Sequence, residues 1–400
     1  MTAASFLPYG RQDIDDDDIA AVADVLRGDW LTTGPAVAAL EKAFAAAVGA
    51  RYAVACSSGT AGLHLANLAL GLGPGDSVVV PSNTFVATAN AARYVGASVR
   101  LCDVDPASGL MRPADLEEAL ARPGPLVKAV APVHFGGQTV DLEALAEIAA
   151  THGAVLVEDA CHAVGTTYRT RAGERVAVGA CRHSAMAVFS LHPVKTITMG
   201  EGGIVTTQDE DLYRRLLQWR THGISRDPKA FRNKDLAFDE NGNANPWYYE
   251  AQDLGFNYRA SDIHCALGLS QLSKLPRFAE RRRELVAHYD RLLAPLAPIL
   301  RPVAKTDGCD PVLHLYVVLI DFTALGLPRS ALMARLHAEG IGTQVHYIPV
   351  HKQPLYQNEP HSLPGAERYY EQCLSLPLFA GMTVEDVERV AAVLAGLIRS

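Results

Sequence analysis

Between Tyr52 and Thr207, short apolar runs rich in Val and Ala alternate with stretches whose apolar residues recur at helical spacing. Runs of that length without polar alternation suit strands buried on both faces. They predict strands over Tyr52–Cys56, Ser77–Pro81, Ser98–Asp103, Lys128–Val133, Ala154–Glu158, Ala185–Phe189 and Gly203–Thr207. Helices are predicted between the earlier ones, over Ala61–Leu70, Val86–Val95, Pro113–Leu120 and Leu142–His152. Strand, helix and strand in repetition give a mostly parallel α/β sheet covered on both faces.

The flanking regions read differently. Ile14, Ile19, Val22 and Leu26 place a helix over Asp13–Arg27, and the acids crowding its first turn mark a helix start. Pro35–Val48 is a second helix with proline at its opening. Helices over Asp211–Arg220 and Ser261–Leu272 are separated by Ser225–Ala251, which is rich in Asn, Asp and Lys and has no apolar period; it reads as a surface excursion or a partner-contacting loop. A long helix over Pro276–Leu293 leads to Pro295 and Pro298, a domain boundary. Beyond it a strand over His314–Asp321, a helix over Arg329–Glu339, a strand over Thr343–His346 and a helix over Val384–Ile398 form a smaller α+β unit. The expected division is a large domain, 1–275, with an N-terminal helical arm, and a small domain, 276–400.

Composition narrows the function. The 400 residues are 49% hydrophobic and 20% charged, as in a soluble globular chain large enough for two domains. A net charge of -8 offers no basic field for a phosphate backbone, so nucleic acid is not an expected partner. The apolar runs are far shorter than the ~20 residues that span a bilayer, and the first residues lack the pattern of a secretory signal. Seven cysteines without C-x-x-C spacing suit reduced thiols and a cytoplasmic location. Cys161 and Cys181 read as small core-packing residues.

In an open α/β sheet, ligands bind beyond the carboxyl ends of the strands. Three segments there carry chemistry. Ser57 to Gly62 is a turn of small residues opening a helix, either a phosphate cradle or an ordinary capping turn. It matches neither the P-loop nor G-x-G-x-x-G, so a nucleoside triphosphate or NAD is not indicated. In Val157 to His162, Asp159 leaves an apolar strand, where a carboxylate needs a cationic or hydrogen-bonding partner unless it merely caps a helix. In Phe189 to Lys195, followed by Gly200-Glu201-Gly202-Gly203, a lysine lies between a strand and a glycine-rich turn. Such a lysine is either solvated surface or, when partly desolvated, a former of Schiff bases. A cradle, an acid and a lysine on one sheet are the contacts that pyridoxal phosphate needs for its phosphate, ring nitrogen and aldehyde. No metal site is expected.

The order SSGTAGLHLA, PSNTFVATANA, EDACHAVG, FSLHPVKTITMGEGG and LGFNYRASDIHCALGLSQL resembles the DegT/DnrJ/EryC1/StrS family of nucleotide-sugar aminotransferases, from about Tyr9 to the C-terminus. The resemblance implies the fold-type I architecture of pyridoxal phosphate-dependent aminotransferases. It makes Lys195 the catalytic lysine, which also joins the cofactor, and Asp159 the partner of the pyridine nitrogen. Gly59, Thr60 and Ala61, through their backbone, and Ser190 would hold the phosphate, Phe85 would stack on the ring, and His162 would lie near its phenolic oxygen. Asn257 would reach the phosphate of a neighbouring subunit, making a homodimer with a shared active site. Tyr9, Thr33, His192, Arg220, His222, Tyr316, His346 and Tyr347 match positions at which relatives contact the sugar nucleotide. Read without the resemblance, Phe85 is equally a core residue, His162 and His192 packed neutral histidines, and Asn257 a turn residue.

Within the family, the segments around Lys195, ALGLSQL, HLY, QVHYIPVH and the stretch ending Pro246-Trp247-Tyr248-Tyr249-Glu250 look most like the branch serving pseudaminic acid biosynthesis. The implied substrates are L-glutamate and a UDP-2-acetamido-2,6-dideoxy-hexos-4-ulose. A dTDP- or GDP-linked keto sugar is the alternative acceptor, and a non-catalytic cofactor-binding paralogue the remote one. Dehydratases of the same fold carry histidine at the position of Lys195, so dehydration is not expected.

Overall fold

The computed structural model describes residues 6–357 and 362–399. Its centre is a seven-stranded sheet made of β1 (Tyr52–Cys56), β2 (Asp76–Pro81), β3 (Ser98–Cys102), β4 (Leu126–Val130), β5 (Val155–Asp159), β8 (Met186–Ser190) and β9 (Gly203–Thr207). The short strands β6 (Thr167–Arg169) and β7 (Arg175–Ala177) form a hairpin that β13 (Cys309–Asp310) joins in a separate sheet. The order is β1-β9-β8-β5-β4-β2-β3, and β9 alone runs against its neighbours. The strands are nearly all buried, as their unbroken apolar runs require. An antiparallel neighbour needs no crossover helix, so β8 and β9 are joined by a loop across the end of the sheet, and that loop carries Lys195.

Helices α3 (Gly59–Ala69), α4 (Val86–Tyr94), α5 (Pro113–Ala121), α6 (Leu142–Thr151) and α7 (Glu210–Arg220) cover the sheet together with α2 (Pro35–Val48). Most predicted elements fall within a few residues of their places. The strand expected to reach Val133 stops at Val130, because Pro132 has no N–H for the ladder; Val133 returns as an isolated bridge to Asp159. The first helix, α1, spans Asp16–Arg27, with Asp15 as its cap. Its acids are more than a helix start. Asp18 is fully buried against α9 (Asp262–Ser273), accepting from Ser270 Oγ and Gln271 Nε2, and it faces Lys274 Nζ at 2.8 Å.

The excursion after α7 is self-structured. A two-residue pair of β10 (Ile224–Ser225) with β11 (Glu250–Ala251) closes it around the short α8 (Lys234–Ala237). The Glu250 carboxylate accepts from the backbone N–H groups of Arg232 and Asn233 and from the Tyr248 hydroxyl.

A second apolar cluster lies around α10 (Leu275–Leu293) and α14 (Val384–Arg399), joined by α11 (Phe322–Leu325) and α12 (Arg329–Ala338). It covers an antiparallel sheet of β12 (Leu300–Pro302), β14 (Tyr316–Ile320) and β15 (Cys373–Leu376). β15 and the helix α13 (Pro364–Gln372) before it were not legible in the sequence, and the strand expected over Thr343–His346 does not form. Only Gln344 pairs with Ser375 there; the chain then leaves the sheet as His346 Nδ1 meets the Ser375 hydroxyl at 2.8 Å. Arg282 of α10 is buried and donates to the carbonyls of Leu313, His314 and Leu378, tying the two regions. Burial without a carboxylate partner pushes its pKa down to about 10. No helix among the described residues is long and apolar enough to cross a membrane.

One close backbone approach between these regions is at Gly137, whose φ is +105° and where a Cβ would stand 2.5 Å from the Val312 carbonyl oxygen. Gly137→Ala is expected to destabilise the protein by at least about 2 kcal/mol, read as a lower urea midpoint at unchanged slope.

Candidate functional site

Four chain segments meet beyond the ends of β1, β5, β8 and β9. Ser58 caps α3, accepting the Ala61 N–H through its Oγ at 3.1 Å. Gly59 and Thr60 occupy the first turn, where N–H groups have no partner within the helix. Size is limiting here. A Cβ on Gly59 would lie 2.9 Å from Ser190 Cβ and 3.2 Å from Cys161 Sγ, and one on Gly203 would lie 2.4 Å from the Ser58 carbonyl oxygen.

Asp159 ends β5 with its carboxylate buried. Oδ2 accepts from Thr88 Oγ1 at 2.7 Å and Oδ1 from the Cys161 N–H at 3.2 Å. Asp159 lines a cavity of about 640 Å³, with Lys195 in the same wall. Burial lowers the Lys195 pKa, and the nearby Cys161 and Asp159 offset part of the fall. Burial also holds the Cys161 thiol well above its usual range.

Gly59, Thr60, Phe85, His162, Ser190, Tyr9, His192, His346 and Tyr347 line the cavity as well. Phe85 is 54% exposed, so it is a wall of the site and not a core residue. His162 Nδ1 accepts the Gly136 N–H at 3.2 Å, and Nε2 lies 3.1 Å from the Tyr347 hydroxyl. That pattern puts the proton of a neutral ring on Nε2. Burial and the charges of Lys195 and His346 keep the His162 pKa well below its ordinary value. Burial beside Lys195 pushes His346 down to about 3, and burial raises Tyr347, which stays a phenol. His192 is exposed at the mouth, where its Nε2 lies 4.0 Å from Glu201 Oε1, so it is not a packed histidine.

Other expected residues stand elsewhere. Ala61 is buried and its N–H is already engaged by Ser58. Tyr316 is in the second core, stacked on Tyr289 and donating to Asp290 at 2.8 Å; its register in β14 turns it away from the cavity. Arg220 is held by Glu41 at 2.6 Å and by the Ala55 carbonyl. Thr33, His222 and Asn257 are exposed, outside the cavity wall. Bridges of Thr221 to Asn257, Cys56 to Arg259 and Thr32 to Ser261 place them along one strip of surface beside β1.

Cys161, expected to be core packing, is on the cavity wall, whereas Cys181 is buried with its thiol on the Thr206 carbonyl. Thr88 and His314 were missed. A threonine inside a helix and a histidine opening a strand carry no local sign that they will meet Asp159 or the cavity.

The DegT/DnrJ/EryC1/StrS aminotransferase family matches residues 12–395. The chain belongs to this family. Among solved structures, the aminotransferase TlmJ from Streptoalloteichus hindustanus is 31% identical, with a TM-score of 0.86 and coverage of 98% of this chain and 99% of that one. PseC from Helicobacter pylori, an aminotransferase involved in the biosynthesis of pseudoaminic acid, is 27% identical, with a TM-score of 0.87 and coverage of 99% and 100%. The sugar aminotransferase Spr1654 from Streptococcus pneumoniae, in its pyridoxal phosphate form, is 26% identical, with a TM-score of 0.85 and coverage of 98% and 99%. The protein is a pyridoxal phosphate-dependent sugar aminotransferase of fold-type I.

The donor set fits that cofactor. A buried carboxylate, a partly desolvated lysine and a helix start where glycine alone leaves room face one cavity. In the cofactor-free enzyme, the Lys195 ammonium should titrate below ordinary lysines when followed by NMR of the methylated protein. Asp159→Asn should lower it further, since that carboxylate favours the charged ammonium.

Proposed function

We propose that the protein transfers the amino group of L-glutamate to the C4 keto group of a UDP-2-acetamido-2,6-dideoxy-hexos-4-ulose. The product is UDP-4-amino-4,6-dideoxy-N-acetyl-beta-L-altrosamine, used for pseudaminic acid. The observation that carries the reaction is Lys195 and Asp159 facing one cavity beside the start of α3. The branch-like segments support the acceptor, because Gln344 to Ile348, from QVHYIPVH, form part of the wall, and PseC is a neighbour in fold.

In this reading, pyridoxal phosphate supplies the electron sink that lets the donor Cα proton leave. Lys195, with its pKa lowered by burial, would take that proton at Nζ and act as the general acid–base of the exchange. Asp159, fixed by Thr88 and the Cys161 N–H, keeps the pyridine nitrogen protonated. The Gly59 and Thr60 N–H groups and Ser190 would hold the phosphate, and Phe85 would cover a ring face. His162, whose Nε2 meets the Tyr347 hydroxyl, would lie near the phenolic oxygen. Tyr9, His192, His346 and Tyr347 meet the substrate.

Among the described residues of the wall, Lys195 is the lone lysine or arginine. A dicarboxylate donor and a nucleotide diphosphate need more cations than that, which supports a homodimer with the active site completed across the interface. The strip carrying Asn257, Thr33, Arg220 and His222 would face the neighbour, with Asn257 on its cofactor phosphate. The apolar cluster around α10 and α14, drawn from residues 285–394 apart from Leu7, supports the division at 275/276, and the enzyme would act in the cytoplasm.

Transfer to a dTDP- or GDP-linked keto sugar is the second reading, kept because the identity to PseC is 27%. Lys195→Ala should abolish turnover and leave the fold intact by circular dichroism. With the wild type, L-glutamate should bleach the visible band of the lysine-bound cofactor, and the UDP-4-keto sugar should restore it. Recovery only with the dTDP or GDP sugar would replace the acceptor but keep the reaction; no bleaching with glutamate would remove the donor.

A further inference from the structure

A Ser–His–Glu chain lies just outside the cavity wall. Ser82, at the end of β2, accepts the His351 backbone N–H through its Oγ at 3.4 Å, so its own proton is free for His351 Nδ1 at 2.7 Å. The neutral ring then carries its proton on Nε2, which faces Glu367 Oε1 at 3.2 Å. Glu367, on α13, is also met by Lys352 Nζ at 3.2 Å. The backbone repeats the link, since the Val350 N–H donates to the Ser82 carbonyl at 2.8 Å. Ser82 is fully buried, so this chain offers no accessible nucleophile.

Its place in the fold gives it another use. Ser82 is three residues before Phe85, and the chain from Gln344 to Gln353 supplies the opposite part of the wall, including His346 and Tyr347. That segment leaves the sheet after one bridging pair, so beyond the Val350–Ser82 backbone bond its position depends on side-chain ties. Phe85 and Tyr347 face each other with ring centroids 5.8 Å apart.

We propose that His351 is a positioning residue of the transaminase, a strut that joins the Phe85 loop to the Tyr347 segment and sets the width of the cavity. It deepens the reading of the cavity as the transamination site and is independent of which sugar is the acceptor. Glu367 anchors the far end of the strut to α13, whose N-terminal N–H groups at Gly365 and Ala366 are held by Asp103.

The test is hydrogen exchange on the cofactor-free protein, together with an absorbance titration of pyridoxal phosphate. His351→Ala should speed amide exchange about tenfold across residues 344–350 and leave β4 and β5 unchanged. It should also weaken cofactor binding about tenfold. His351→Gln, which offers an acceptor and a donor in one side chain, should recover most of both, and Ser82→Ala, removing one donor, should give the same pattern more weakly if the alanine at 351 does not fold. Uniformly faster exchange, showing only general stability, would overturn the proposal, as would unchanged exchange at 344–350. Loss of turnover in Lys195→Ala bears on the reaction alone, so the two ideas fail separately.

Discussion

A carboxylate at the end of a buried strand is unstable unless its lone pairs are met, and Asp159 is the point on which this site depends. Its side chain takes the Thr88 hydroxyl and the Cys161 N–H, while its backbone bonds to Pro132 and His134. One residue therefore ties α4, the exit of β4 and the turn after β5 into a single body. Glu158, facing the other side of the sheet, is buried against His134 Nε2 at 2.9 Å and accepts the Ser184 hydroxyl. With two consecutive acids buried and each bonded, the strand end cannot shift without leaving a charge unmet. That rigidity preserves the geometry between Asp159 and the other cavity walls.

The electrostatics of the cavity follow from what surrounds Lys195. His162, His314 and His346 all have lowered pKa values through burial, and the Lys195 charge adds to each. These three imidazoles thus stand in the wall as neutral donors and acceptors. A second positive charge there would repel the lysine and resist its loss of solvent. Among the described residues the wall holds no other lysine or arginine, which is why the exposed strip beside β1 matters to the proposed shared site.

Legibility in the sequence varied with the range of the interaction. The Val-rich runs marked all seven strands of the main sheet, because strands buried on both faces have no polar alternation to confuse them. The small antiparallel sheet was partly missed: Cys373–Leu376 is only four residues long, and Thr343–His346 alternates like a strand but has a single bridging pair. Asp159 and Lys195 were legible from their places after strands. Thr88, His314 and the wall position of Cys161 were not, since each owes its position to a neighbour far away in sequence. Tyr316 shows the converse, a residue of the right type at a plausible place whose register turns it into a core.

By itself the sequence determined the alternation of strands and helices, the order of cradle, acid and lysine along one sheet, and through its motifs the family. Those properties are local: periodicity, small residues at turns and residue type at a strand end survive in a linear string. Tertiary structure alone decided that β9 runs in reverse and so lays the lysine loop across the sheet, and that His162 donates through Nε2. It also decided that the Phe85 and Tyr347 walls are joined through His351. Each of these depends on contacts between residues tens to hundreds of positions apart, and the distance between such residues is set by packing, which no local pattern records.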